Sequence, residues 1–206
     1  MIDIAILAAN EHLALQKLFK NLIDECGISP KYIYVLFDET KVDDDTLNLP
    51  PVYGITNVFL RPLNKDFAAQ RNHLRSLCKS DYILYVDADE IIPVKLITTL
   101  LTMVTNRTYD IITIPRVNKL ICNDSTPATE IFGLEAIDPI DGKIAWPDYQ
   151  DRFVRNVPSI VWTGALHERL TGGIKSCLAQ DETIAIQHLK TTSTQLAQRN
   201  FYRDNF

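Results

Sequence analysis

The 206-residue sequence predicts an α/β fold with a mainly parallel central sheet, followed by a smaller, more irregular, strand-rich C-terminal part. Three observations predict it. Up to about residue 110, short apolar runs alternate with segments of helical periodicity, as in chains that lay strands side by side through helical crossovers. Those runs are apolar on both faces, which suits strands covered by helices above and below. Beyond residue 110 the runs shorten, and polar loops containing Pro and Gly separate them.

Residues 2–8 read as the first strand. Asn10 is placed to cap the next helix, in which Leu15, Leu18, Phe19, Leu22 and Cys26 recur at helical spacing before Gly27 and Pro30 end it. Residues 32–37 form a second strand, followed by the acidic loop DETKVDDDT and the turn NLPP. A third strand is expected over 56–60, a helix over 67–78, a fourth strand over 82–86 and a helix over 94–104. The second half reads as strands at 110–116, 119–122, 130–134, 152–155, 160–162 and 183–188, with a surface helix at 194–202. No flexible linker marks residue 110, so one domain over 1–206 is expected, with a 1–110 half and a 111–206 half.

Composition limits the function. A 46% hydrophobic, 23% charged chain of this length can bury a sizeable core. A net charge of -5 and a pI near 5.3 argue against a protein that coats nucleic acid, because phosphate binding needs a Lys/Arg surplus. Cys26, Cys78, Cys122 and Cys177 are widely spaced, form no C-x-x-C pair and have no nearby His at zinc spacing. They read as reduced thiols of a cytoplasmic protein. The opening MIDIAILAANEH lacks the basic flank and cleavage site of a secretory signal. No apolar stretch approaches the roughly 18 residues of a membrane span, so membrane contact would be peripheral.

The chemistry concentrates in YILYVDADEII, residues 82–92. In an extended segment residues i and i+2 point to one side, so Asp87 and Asp89 present two carboxylates toward one point. Such carboxylates repel unless a cation or donors lie between them. Mg²⁺ or Mn²⁺ answers this, taking one or two carboxylates together with water and substrate phosphate. The other reading has Asp89 and Glu90 capping the helix that begins near Pro93. Asp38 and Asp87 each follow a strand directly, and open parallel sheets bind ligands beyond the carboxyl ends of their strands.

Residues 65–90, KDFAAQRNHLRSLCKSDYILYVDADE, resemble family-2 glycosyltransferases of the GT-A (Rossmann-like) fold, in which a Phe-Ala-x-x-Arg-Asn helix precedes a strand ending in Asp-Ala-Asp-Glu. Ala9-Asn10-Glu11 after the first strand and Asp38 with Thr46 after the second are similar to that family as well. PDYQDRFVRN and the segment from Trp162 to His167-Glu168 resemble the subgroup of small lipopolysaccharide-core glucosyltransferases.

The resemblance implies an inverting transfer of a sugar from a nucleoside diphosphate, expected to be UDP, to an acceptor hydroxyl on a glycan, lipid-linked or protein acceptor, with Mn²⁺ or Mg²⁺. It implies Asp89 as metal ligand, Asp87 on the ribose or the metal's water shell, Asp38 on the nucleobase, and Asn10 and Glu11 near the nucleotide. The resemblance favours Arg71 pairing with Asp87 or the diphosphate, with a solvated Arg as the alternative. The resemblance further implies His188 as a metal ligand, with Lys190 on the diphosphate; a core histidine is the alternative for both His188 and His167. The family's base is a carboxylate, often in a Glu-Asp pair, where this chain has Pro147-Asp148. Asp148 is the first choice, followed by Asp151 and Glu168, and any of the three can instead pair with Arg152 or Arg155. Trp146 suits sugar stacking and Trp162 core packing.

Two other classes fit parts of the pattern. A non-catalytic nucleotide-sugar or glycan-binding module would keep the same fold. A sugar nucleotidyltransferase would want a Gly-rich phosphate loop after the first strand, and LAANEHLAL has no glycine.

Overall fold

The computed structural model describes residues 1–106, 108–121 and 142–191, together with Asn200 and Arg203. β1 (Ile2–Ala8) has Ile4, Ala5 and Ile6 fully buried. α1 (His12–Lys20) turns Leu15, Leu18 and Phe19 inward, and a π-helical turn, Asn21–Glu25, extends it. The helix starts after Glu11 instead of at an Asn10 cap. The Glu11 carboxylate folds back to accept a hydrogen bond from the Ala9 amide at 2.7 Å, and no side chain caps the helix.

β2 (Ile33–Asp38) is buried along its whole length. After it come two single-turn helices, α2 (Asp44–Leu47) and α3 (Leu49–Val52), and then β3 (Asn57–Arg61). α4 (Phe67–Leu77) is N-capped by Asp66, whose side chain accepts from the Ala69 amide at 2.8 Å. β4 (Tyr82–Asp87), the two-residue β5 (Glu90–Ile91) and α5 (Val94–Asn106) complete the first half.

The described part of the second half is more regular than its sequence implies. β6 (Ile111–Ile121) is one strand where two were expected, and β7 (Lys143–Arg155) extends far ahead of residue 152. β8 (Val161–Thr163) and β9 (Arg169–Thr171) form a separate hairpin, and β10 (Lys175–Cys177) is a short strand beside β6. A 3₁₀ turn, Glu182–Ile184, precedes β11 (Ile186–Thr191), which starts later than expected and continues through residue 190. The strand expected at 130–134 and Cys122 lie outside the described residues, as does nearly all of the helix expected at 194–202.

Among the described residues the main sheet has nine strands in the order β3-β2-β1-β4-β7-β6-β11-β5, with β10 beside β6. β3, β2, β1 and β4 run parallel, whereas β7 is antiparallel to β4 and β6. One apolar layer joins Ile4, Ile6, Phe37 and Val86 to α1 and α5; the other joins Ala5, Leu36 and Tyr85 to α4 and Trp162. The doubly apolar strands thus have both faces covered, as expected. From β1 the chain builds outward through β2 and β3, then returns to place β4 on the other side of β1. That reversal is the topological switch point, and the carboxyl ends of β1 and β4 border it. No helix among the described residues is long and apolar enough to cross a membrane.

Candidate active site

The Asp-Ala-Asp-Glu segment is a tight turn between β4 and β5, and the fully buried Glu90 locks it. Glu90 Oε2 accepts from the Asp87 amide at 2.9 Å, while Oε1 accepts from Arg152 Nη2 at 2.8 Å and Arg116 Nη1 at 3.1 Å. One residue past β5, the Asn21 side chain brackets Ile92. Its Oδ1 accepts from the Ile92 amide at 2.8 Å, and its Nδ2 donates to the Ile92 carbonyl at 3.0 Å. Asp89 and Glu90 therefore belong to the turn and β5, not to a cap of α5.

Asp87 lies between two guanidiniums. Arg71 Nη2 donates to Oδ1 at 3.1 Å, and Arg152 Nη2 donates to Oδ2. Burial pushes the Asp87 carboxyl upward, but Arg152 and then Arg71 outweigh it and hold the group well below the usual carboxylate range. Arg152 reaches the turn through a bulge: Ile112 pairs with Phe153 and Thr113 with Asp151, leaving Arg152 as the extra residue. Arg71 bonds Glu168 through Nε at 2.5 Å, and its guanidinium carbon stands 5.0 Å from the Trp162 ring.

The order β7-β6-β11-β5 sets a polar row beside this cluster. Arg116 is registered with Asp148, Asn118 with His188, and His188 with Glu90. His188 Nδ1 lies 2.7 Å from Asn118 Oδ1, and Nε2 lies 3.3 Å from Asp89 Oδ2. Asn118 Oδ1 accepts only, so Nδ1 carries its hydrogen and Nε2 is left to face a carboxylate oxygen. Nitrogen and oxygen donors aimed at each other need a cation between them or a second proton on the ring. Their separation is near the ~3 Å edge between adjacent ligands of an octahedral ion with bonds of about 2.1 Å. Among the described residues no three His, Cys, Asp or Glu side chains gather to hold a metal.

The expected residues are not all in one place. Asp38, 6% exposed, accepts on Oδ1 from Thr40 N, Thr40 Oγ1 and Leu63 N at 3.1, 2.8 and 3.2 Å; among the described residues Oδ2 takes none. Asn10 and Glu11 are exposed after β1. Asp148, Asp151 and Glu168 are all paired, but not with Arg152 or Arg155. Asp148 binds Arg116, Asp151 binds Lys175 at 2.6 Å and Thr113 at 3.0 Å, and Glu168 binds Arg71. Arg155 instead meets Asp110 at 3.3 Å. His167 is exposed with φ of 56°, so it is no core histidine. Trp162 is buried edge-on to Tyr85, and Trp146 is half-buried beside Lys143. Lys190 lies in β11 two residues beyond His188; its side chain lies outside the described set.

Sequence reasoning missed Arg116, Asn118 and Asn21, and weighed Arg152 only as a partner for other acids. The i, i+2 spacing of Arg116 and Asn118 in an extended run was an available signal.

The profile of the family described as Glycosyl transferase family 2 matches residues 3–166. No curated protein sequence matches significantly. Among solved structures, S. aureus TarS 1-349 in complex with UDP superposes with a TM-score of 0.57 at 12% identity, over 91% of this chain and 60% of that one. S. aureus TarS 1-349 in complex with UDP-GlcNAc gives 0.55 at 13% identity, over 92% and 58%. The chain thus spans about 60% of the length of these structures, and at such identity the likeness speaks for the fold. That fold is the GT-A (Rossmann-like) α/β arrangement expected from the sequence, and the family match covers both the switch-point turn and its Arg71 and Arg152 clamp. The chain belongs to glycosyltransferase family 2.

Proposed function

We propose that the protein transfers a sugar, with inversion, from a UDP-linked donor to an acceptor hydroxyl, using a divalent cation held by Asp89 and His188. The observation that carries this reading is the approach of His188 Nε2 to Asp89 Oδ2 at the topological switch point. An imidazole in the donor set favours Mn²⁺ over Mg²⁺, which takes oxygen ligands. When bound, the cation offsets charge that develops on the departing diphosphate.

The chain's own residues would do the rest. Asp38 accepts from the nucleobase through Oδ2, and Asn10 and Glu11 border the nucleotide at the end of β1. Asp87, held ionised by Arg152 and Arg71, offers an acceptor to the ribose hydroxyls or the metal's water. Lys190 lies on the strand that carries His188 and is assigned to the diphosphate. The resemblance to UDP-bound and UDP-GlcNAc-bound TarS supports a uridine donor.

One observation favours a second reading, a donor-binding module without turnover: Asp148, Asp151 and Glu168 are each engaged by a cationic side chain, and a base must be ready to accept a proton. Incubation with Mn²⁺ and a panel of UDP-sugars separates the two. Slow metal-dependent donor hydrolysis, abolished by Asp89→Ala, supports the transferase; metal-dependent binding with no turnover on a broad acceptor panel supports the module.

A further inference from the structure

Asp148 stands where the general base was expected, yet its surroundings give it other work. Its Oδ2 accepts from Asn118 Nδ2 at 2.8 Å and from Arg116 Nε and Nη2 at 3.0 and 2.7 Å, and its Oδ1 accepts from Gln150 Nε2 at 2.6 Å. Four donors converge on one carboxylate. Burial pushes its pKa upward, but Arg116 and then the Asn118 bond outweigh that and leave it lowered, the wrong direction for a group that must collect a proton.

The same bonds settle the orientation of Asn118. A carboxylate only accepts, so the Asn118 amide nitrogen must face Asp148 and its oxygen must face His188. That oxygen also only accepts, so His188 must carry its hydrogen on Nδ1. Nε2, on the far side of the ring, then faces Asp89. Arg116 holds the start of this chain in place, because it bonds Asp148 and the fully buried Glu90 together.

We propose that Asp148 and Asn118 are positioning residues: Asp148 orients the Asn118 amide, Asn118 fixes the His188 tautomer, and His188 Nε2 is kept as the lone-pair ligand of a divalent cation shared with Asp89. The inference rests on the reading of Asp89 and His188 as a metal pair. Partners of this kind orient ligating imidazoles elsewhere, and removing them weakens metal binding about 10–100-fold.

The test reads Mn²⁺ directly, by titration of its electron paramagnetic resonance signal and by pulsed measurement of ¹⁴N coupling to the bound ion. Asn118→Ala should weaken Mn²⁺ binding about 10–100-fold and remove the nitrogen coupling. Asp148→Asn keeps an oxygen for Asn118 and Arg116, and should hold the Kd within about threefold with the coupling intact, well short of the loss expected at Asn118. Asp148→Leu removes the acceptor that orients Asn118 and should weaken Mn²⁺ binding about 10-fold with loss of the nitrogen coupling, whereas Asp148→Asn does not; a merely structural role for Asp148 would leave the coupling of the folded variant in place. Wild-type coupling that persists in Asn118→Ala would overturn this inference alone. Wild-type coupling in a folded Asp148→Leu variant would overturn the role given to Asp148. Mn²⁺ bound to the wild type without nitrogen coupling would overturn it together with the reading on which it rests.

Discussion

Arg152 bears most of the burden at the turn. Its side chain is 3% exposed, and it joins Asp87 to Glu90, which has no exposure at all. Removing one member of a buried ion pair strands the other, at a typical cost of 3–5 kcal/mol. In Arg152→Met, Asp87 keeps Arg71 and Glu90 keeps Arg116, so we expect the lower end, about 3 kcal/mol, read as a lower urea midpoint at unchanged slope. Asp87 adds a pH dependence of definite sign. Its folded pKa lies below its unfolded value, so its contribution is whole above an unfolded pKa of about 4 and is lost as pH falls through the folded value. Asp87→Asn should therefore lower the urea midpoint at neutral pH, and the gap from wild type should shrink on acidification below about pH 4. A gap that stays constant across that range would sink the assignment.

At the level of elements, the π-helical turn after α1 and the short β5 act as one unit. Asn21 completes the backbone bonding of Ile92 from both sides, and Cys26 Sγ also reaches the Ile92 carbonyl at 3.4 Å. Asn21→Ala leaves a buried amide without its acceptor, at a cost of about 1–3 kcal/mol, and should speed hydrogen exchange of the Ile92 amide beyond that of its neighbours in α5. β1, β2 and β4 are plain in the sequence, because continuous apolar runs mark strands that are buried on both faces. β6 and β7 are harder to read, since their rim halves, VNKL and AWPDYQD, carry polar side chains that serve the site instead of the core. The i, i+2 spacing singles out Asp87 and Asp89, but the segment is a turn, not an extended run, and the two carboxylates meet different partners: Asp87 the guanidiniums of Arg71 and Arg152, Asp89 the ring of His188. Arg116, Asn118 and the bulged Arg152 could not be placed, because their positions depend on register between strands distant in the chain. Nothing local encodes that register. The nearness of His188 to Asp89 was expected only through the family resemblance.

Across the whole molecule, the proposed metal site joins positions 89 and 188 through β5 and β11, strands that pair at Glu90 and His188. A ligand that binds only the folded chain stabilises it by RT ln(1 + [L]/Kd), about 2.7 kcal/mol at a hundredfold excess over Kd. Mn²⁺ should therefore raise the melting temperature of the wild type in proportion to the logarithm of its concentration, and leave Asp89→Ala and His188→Ala unmoved. The stabilisation should also be local in hydrogen exchange. Cation binding ties the turn after β4 to β11, so protection should rise at Glu90–Ile91 and Ile186–Thr191 while β3, at the far edge of the sheet, stays unchanged. UDP added with Mn²⁺ should extend protection to the end of β2, where Asp38 holds Thr40 and Leu63. UDP without metal should protect that end and spare β11. Protection of β11 by UDP alone would mean that the nucleotide reaches His188 without a cation, and the metal-bridged arrangement would then be wrong.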